Sequence, residues 1–140
     1  MEKWVVFALI SMIFAGFTSV IAKMGLVGIS GELGLTIRTL FVSLFVLGFA
    51  AVVVPTSDYS LLNRTNLLWL GLSALTTTLS WIFYYKALKL GDVATVALID
   101  KGSVVVAILL AWLLFKEVIT LRILIGGTLI VGGLLVIVKK

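Results

Sequence analysis

Apolar residues fill five stretches of this chain, and polar residues collect in the short intervals between them. A helix needs about 20 apolar residues to cross the roughly 30 Å hydrocarbon core of a bilayer. The pattern predicts five spans, at about 4–22, 35–54, 67–85, 93–115 and 121–138.

The first runs from Trp4 to Ala22, between Lys3 and Lys23. A cleaved leader also starts with a short basic segment and an apolar core, but the length of this run and the lack of a convincing A-x-A site predict that it stays in the mature protein. Ala8, Ser11, Ala15, Thr18 and Ala22 share one side of it, a small and slightly polar stripe suited to close helix packing. Residues 23–34 hold four glycines and are expected to form the first connection. Arg38 lies in the first turns of the second span, where its stem could reach back to the interface or its guanidinium could pair inside the protein. Pro55 ends that span and opens the longest polar loop; Asn63-Arg64-Thr65 within it reads as a coincidental glycosylation sequon.

In the third span Ser73, Thr77, Ser80, Trp81 and Tyr84 share a face opposite Leu, Ile and Phe. An interfacial aromatic belt accounts for Trp81, Tyr84 and Tyr85 near the end of the span, but not for Ser73 and Thr77 deeper in. The face is therefore expected to line a cavity. Lys86–Asp92 is predicted to be a short loop, with Asp92 capping the fourth span and meeting the positive end of its dipole.

That fourth span is unusual because it carries Asp100 and Lys101 in its interior. A charge at membrane depth costs about 2.5–3.5 kcal/mol on insertion scales, so such residues face a protein interior or a wet cavity and mark pathways. Adjacent residues on a helix do not face each other, so each is expected to find its partner on another helix, a second copy of the chain, or water. Lys23, Arg38 and Lys86 are the candidates for Asp100, either as a fixed ion-pair network or as a site of proton exchange or charge binding. Ser103, Ala107 and Ala111 continue the arc of Asp100, and Gly102 beside the charges is a place where the helix could loosen. In the last span Gly126 and Gly133 lie two turns apart on one face, a packing or dimer surface, and Lys139 and Lys140 anchor its end.

Composition agrees with an integral membrane protein: 62% of residues are hydrophobic and 12% charged, with a mean hydropathy of +1.30, against about 45–50% apolar residues in a soluble domain. The 140 residues leave room for one domain of five helices. A net charge of +5 is compatible with nucleic acid, but the basic residues stand singly at the ends of apolar runs, so nucleic acid is set aside. With no cysteine and no histidine, thiolate chemistry, His-based triads, haem ligation and His-bearing metal sites are excluded, and no cofactor or metal is expected. One intramembrane aspartate makes a poor catalyst alone, so the chain is not read as an enzyme.

Five spans place the two ends on opposite sides of the membrane. The amino-terminal side holds Lys3, Arg64, Lys116 and Arg122, and the other holds Lys23, Arg38, Lys86, Lys89, Lys139 and Lys140. Six against four favours a cytoplasmic carboxyl terminus only slightly, and insertion in both orientations is expected.

Five segments, in order and spacing, resemble the five-helix EamA domain of the drug/metabolite transporter superfamily over nearly the whole chain. Gly16 through Lys23 and Gly25 looks like its first helix and exit, and Arg38 like its early second-helix arginine. Lys86-Ala87-Leu88-Lys89-Leu90-Gly91 resembles its alanine-leucine turn, Phe115-Lys116-Glu117 with Thr120 its glutamate-bearing loop, and Gly126 to Gly133 its glycine-rich fifth helix. Most members resemble two such domains fused in inverted orientation; here there is one. The small multidrug resistance group relies on a glutamate in the first helix, and the first helix here has no acid, so proton-coupled drug export of that type does not carry over.

The combined expectation is an all-α integral membrane protein, a bundle of five transmembrane helices forming one half-transporter repeat over residues 1–140, in a bacterial or archaeal plasma membrane. As a secondary-active transporter it would move small metabolites or amphipathic compounds, with export favoured, by alternating access in an antiparallel homodimer surrounded by lipid. The expected substrate pathway is Ser11, Thr18, Ser73, Thr77, Trp81 and Tyr84; Asp100, Lys101, Arg38 and Lys23 are the charges for coupling; Ser103, Ala107, Ala111, Gly126 and Gly133 are the packing or dimer positions. The competing reading is a non-transporting membrane subunit that stabilises or regulates a larger complex.

Overall fold

The computed structural model describes residues 2–138. The anchoring role expected of Lys139 and Lys140 lies outside these residues. The described chain is helical, with α1 at Lys3–Gly25, α2 at Gly31–Val53, α3 at Arg64–Leu90, α4 at Val93–Asp100, α5 at Ser103–Phe115 and α6 at Leu121–Val138. A short 3-10 helix, Thr56–Leu61, occupies the loop after Pro55. Five segments are long and apolar enough to span a membrane, with α4 and α5 together making the fourth, Val93–Phe115.

Most helix starts are fixed by a side chain that accepts an otherwise orphaned backbone N–H. Ser30 caps α2 by accepting from the Leu33 N–H at 3.2 Å. Asp92 caps α4, as its spacing predicted, accepting from Thr95 N–H at 2.9 Å. Asn63 accepts from Asn66 N–H at 2.8 Å, and Thr120 from Ile123 N–H at 3.3 Å. Asn63 thus starts α3, which accounts for the asparagine of the sequon.

The chain divides into two compact units, residues 20–90 and residues up to Ser19 together with Gly91 onward. In the first unit α2 packs along α3. Leu26, Leu35, Tyr85 and Leu88 are its buried apolar side chains, all near the α1–α2 connection and the end of α3. The rest of both helices presents large apolar side chains outward, as expected where the surrounding medium is hydrocarbon and packing, rather than water exclusion, draws helices together.

Two glycines make this corner possible. Gly28 turns the chain at φ 78°, a conformation that costs glycine little. A Cβ on Gly31 would come within 2.9 Å of the Tyr85 carbonyl oxygen, so the start of α2 rests directly on the backbone of α3.

Two expectations change here. Residues 86–90 are helix rather than loop, because α3 continues to Leu90 and only Gly91-Asp92 connects it to α4. Ending where it does, α3 places Lys86 and Lys89 on a packed helix end. The first connection is also shorter than predicted, since α1 runs on to Gly25 and α2 starts at Gly31.

In the second unit α6 lies against α4 and α5. The fourth span is interrupted: Gly102 N–H donates to Ile99 O at 2.9 Å, Val104 N–H to Lys101 O at 3.1 Å and Val105 N–H to Gly102 O at 3.0 Å. These i to i+3 bonds tighten the chain into a 3-10 turn between α4 and α5. A Cβ on Gly102 would approach Leu134 Cδ1 to 2.9 Å, so α6 runs close beside the break.

Candidate functional site

The charged and aromatic side chains of the 20–90 unit gather at the end of α3. Its last turn leaves carbonyls without intrahelical partners, and so does the last turn of α1; both carry the negative end of a helix dipole. Lys23, in the last turn of α1, donates to the Leu88 carbonyl of α3. Lys89, in the last turn of α3, donates to the Leu26 carbonyl just past α1 at 2.8 Å. Each helix end is thus neutralised by the other's lysine. Beside them Lys86 and Glu32 form an ion pair at 3.4 Å, with both side chains more than half exposed; such a pair contributes little to stability.

Arg38 sits one layer further in. It is seven residues beyond Gly31, or about 10 Å along α2 at 1.5 Å per residue. Its guanidinium carbon lies 4.5 Å from the centroid of the Trp81 ring and 6.0 Å from that of Tyr85. Trp81 and Tyr85 are one helical turn apart on α3 and so form two steps of one face. Among the described residues the arginine joins no ion pair. A cation over a ring recovers about 0.5–2 kcal/mol, less than the cost of placing the charge at depth. Its Nη1 is buried and has no hydrogen-bond partner among the described residues.

The remaining positions on α3 extend this face away from the helix end. Tyr84 meets Tyr85 edge to face, with ring centroids 6.3 Å apart. Thr77 donates its hydroxyl to Ser73 O at 2.8 Å, which satisfies the proton within the helix and leaves the oxygen able to accept. Ser73 and Thr77 are both exposed on the isolated chain.

The second unit holds the other charged pair. Asp100 closes α4, and Lys101 Nζ bends back to its Oδ2 at 3.4 Å. This corrects the expectation that the two would find separate partners. The helix ends between them, and the four-carbon lysine stem is long and flexible enough to curl onto its neighbour. With side-chain exposures of 57% for Lys101 and 37% for Asp100, the pair stays accessible to a further ligand. Ser11 and Ser103 are exposed, and Thr18, on α1, donates to Phe14 O at 2.9 Å.

Ala107 and Ala111 line a groove of about 260 Å³ with Ile108, Trp112, Val118 and Ile123, and Glu117 is the one acid of its lining. Gly127, not Gly126, faces α5, where a Cβ would meet Ile108 Cδ1 at 3.6 Å. A Cβ on Gly126 or Gly133 would meet no described atom of this unit within 4 Å. Both are open to lipid or to another protein surface.

Tyr85, Glu32 and the exchange of helix ends by Lys23 and Lys89 were not singled out by sequence. Tyr85 was detectable, because it continues the Ser73, Thr77, Trp81 series by one further i+4 step. The lysine exchange has no local signal; it depends on two helix ends, 65 residues apart in the case of Lys23 and Leu88, meeting in space.

Comparison with known proteins agrees with this architecture. A protein of Sinorhizobium sp. named "Uncharacterized transporter in cobO 3'region" is 35% identical over 139 residues, covering 97% of this chain and 96% of that protein. No solved structure matches. The model of the EamA-like transporter family matches residues 2–139. On both grounds this multi-pass membrane chain belongs to the EamA-like transporter family.

Proposed function

We propose that the chain is a secondary-active transporter that exports small metabolites or amphipathic compounds by alternating access, working as an antiparallel homodimer. One observation carries this reading: the family match is spread over a single set of five spans, whereas substrate sites of inverted-repeat transporters lie at the midplane between two repeats. A second copy in the opposite orientation supplies the other half. The six-to-four division of basic residues supports this, because so small a bias lets one sequence insert both ways. The interruption of Val93–Phe115 at Lys101-Gly102 supports it too, since broken helices carry the ion and substrate sites of such transporters. In this reading the face of Ser73, Thr77, Trp81 and Tyr84 lines the substrate path, and Asp100 with Lys101 couples transport to an ion.

The test is orientation. Two carboxyl-terminal reporters are fused to the chain, one active only in the cytoplasm and one only outside. Strong signals from both are the expected result. A signal from the cytoplasmic reporter alone overturns the homodimer and leaves a chain that pairs with an oppositely oriented partner or serves as a non-transporting subunit.

A further inference from the structure

Arg38 carries a charge that the described residues do not balance. Its guanidinium is held against Trp81, with Tyr85 close by, and its Nη1 is buried without a partner. The guanidinium carbon lies over the Trp81 ring and Nη1 donates to no described residue, so the fork keeps a donor for an acceptor that the chain does not supply, and a planar carboxylate matches a guanidinium fork. We propose that Arg38, Trp81 and Tyr85 form a receptor for the carboxylate of a small molecule with an apolar body. This deepens the transport reading and rests on it only for the fate of the bound molecule.

Two observations select a solute rather than an acid of the protein itself. The chain's acidic side chains are engaged elsewhere: Glu2 by Trp4, Glu32 by Lys86, Asp58 by Ser57, Asp92 by the Thr95 N–H and Asp100 by Lys101. Glu117 lines the groove of Ala107, Ile108 and Ala111. The lining around Arg38 is aromatic, so a carboxylate with an apolar or aromatic body gains ring contacts as well as a charge-assisted hydrogen bond. A phosphate from a lipid headgroup offers similar oxygens, and the experiment separates the two sources.

The test reads binding, independently of transport. Trp4, Trp69 and Trp112 are replaced by Phe so that Trp81 is the sole indole, and the full-length protein is placed in vesicles of neutral phosphatidylcholine. Benzoate is expected to change Trp81 emission saturably, and its neutral isostere benzamide to bind at least tenfold more weakly. Arg38→Gln abolishes the benzoate response, and Arg38→Lys retains a weakened one. Equal responses to benzoate and benzamide overturn the proposal, as does a benzoate response that survives Arg38→Gln. A change that follows anionic phosphatidylglycerol instead of benzoate assigns the site to lipid and overturns it as well. No response to benzoate in the Arg38 protein overturns it outright. Loss of transport with benzoate binding intact would instead count against the transport reading alone.

Discussion

Lys23 and Lys89 exchange helix ends: the first donates to a carbonyl at the end of α3, and the second to a carbonyl just past the end of α1. A helix terminus in or near hydrocarbon has no water to satisfy its last carbonyls, so each lysine supplies both a donor and a charge complementary to the dipole.

Replacing either lysine with methionine keeps most of the stem and removes the ammonium. Hydrogen bonds to charged groups contribute about 1.5–3 kcal/mol, and each single variant is expected to lose stability on that scale in detergent. The double variant is expected to lose less than the sum, because both contacts hold the same corner. A double-mutant cycle on unfolding in denaturing detergent measures the coupling, and strict additivity would count against a shared clasp.

Gly31→Ala is expected to destabilise the fold by about 1–3 kcal/mol, the range for overpacking. The added methyl meets backbone, the Tyr85 carbonyl, rather than a side chain that can swing away. Gly126→Ala and Gly133→Ala have open space on their own unit and are expected to leave monomer folding unchanged. If the dimer surface includes them, Gly126→Leu and Gly133→Leu will reduce dimer while sparing monomer, as read by cross-linking in membranes.

Asp100→Asn separates folding from function. Asp100 pairs with its own neighbour Lys101, so the variant is expected to accumulate to normal levels. Transport should fall at least tenfold if the carboxylate couples it to an ion. Normal transport would return the pair to a purely local role.

Lys116 is one of four basic residues on the amino-terminal side. Lys116→Gly leaves three there, Lys3, Arg64 and Arg122, against six, and the cytoplasmic carboxyl-terminal reporter is expected to gain at the expense of the other. The residue also sits at φ 54°, so glycine relieves a left-handed backbone at the end of α5. An unchanged reporter ratio would show that orientation is set elsewhere.

What was legible in the sequence follows from the range of each interaction. Spans are set by runs of apolar residues, and the Asp92 cap by atoms three residues apart, so both could be read directly. The end of α3 could not: Lys86 and Lys89 look like loop residues until Lys23, Glu32 and Leu26 are placed beside them. Arg38 left two readings open because its true neighbours, Trp81 and Tyr85, lie on another helix. Gly102 marked the place where the fourth span breaks, but the Asp100-Lys101 contact was missed because adjacent residues face apart on a regular helix, and the 3-10 turn that brings them together leaves no trace in the periodicity.

The lysine exchange also has a consequence in time. Lys23 leaves the ribosome 66 residues before Lys89, an interval of roughly 3–13 s at about 5–20 residues per second. During it the first helix has emerged, yet neither ammonium has met its carbonyl. If the chain inserts both ways, as proposed, a first helix that is fastened only when the third is complete leaves its orientation open for that interval. On that proposal, slowing or hastening translation between codons 24 and 89 is expected to shift the share of chains inserted each way, and an unchanged share counts against it.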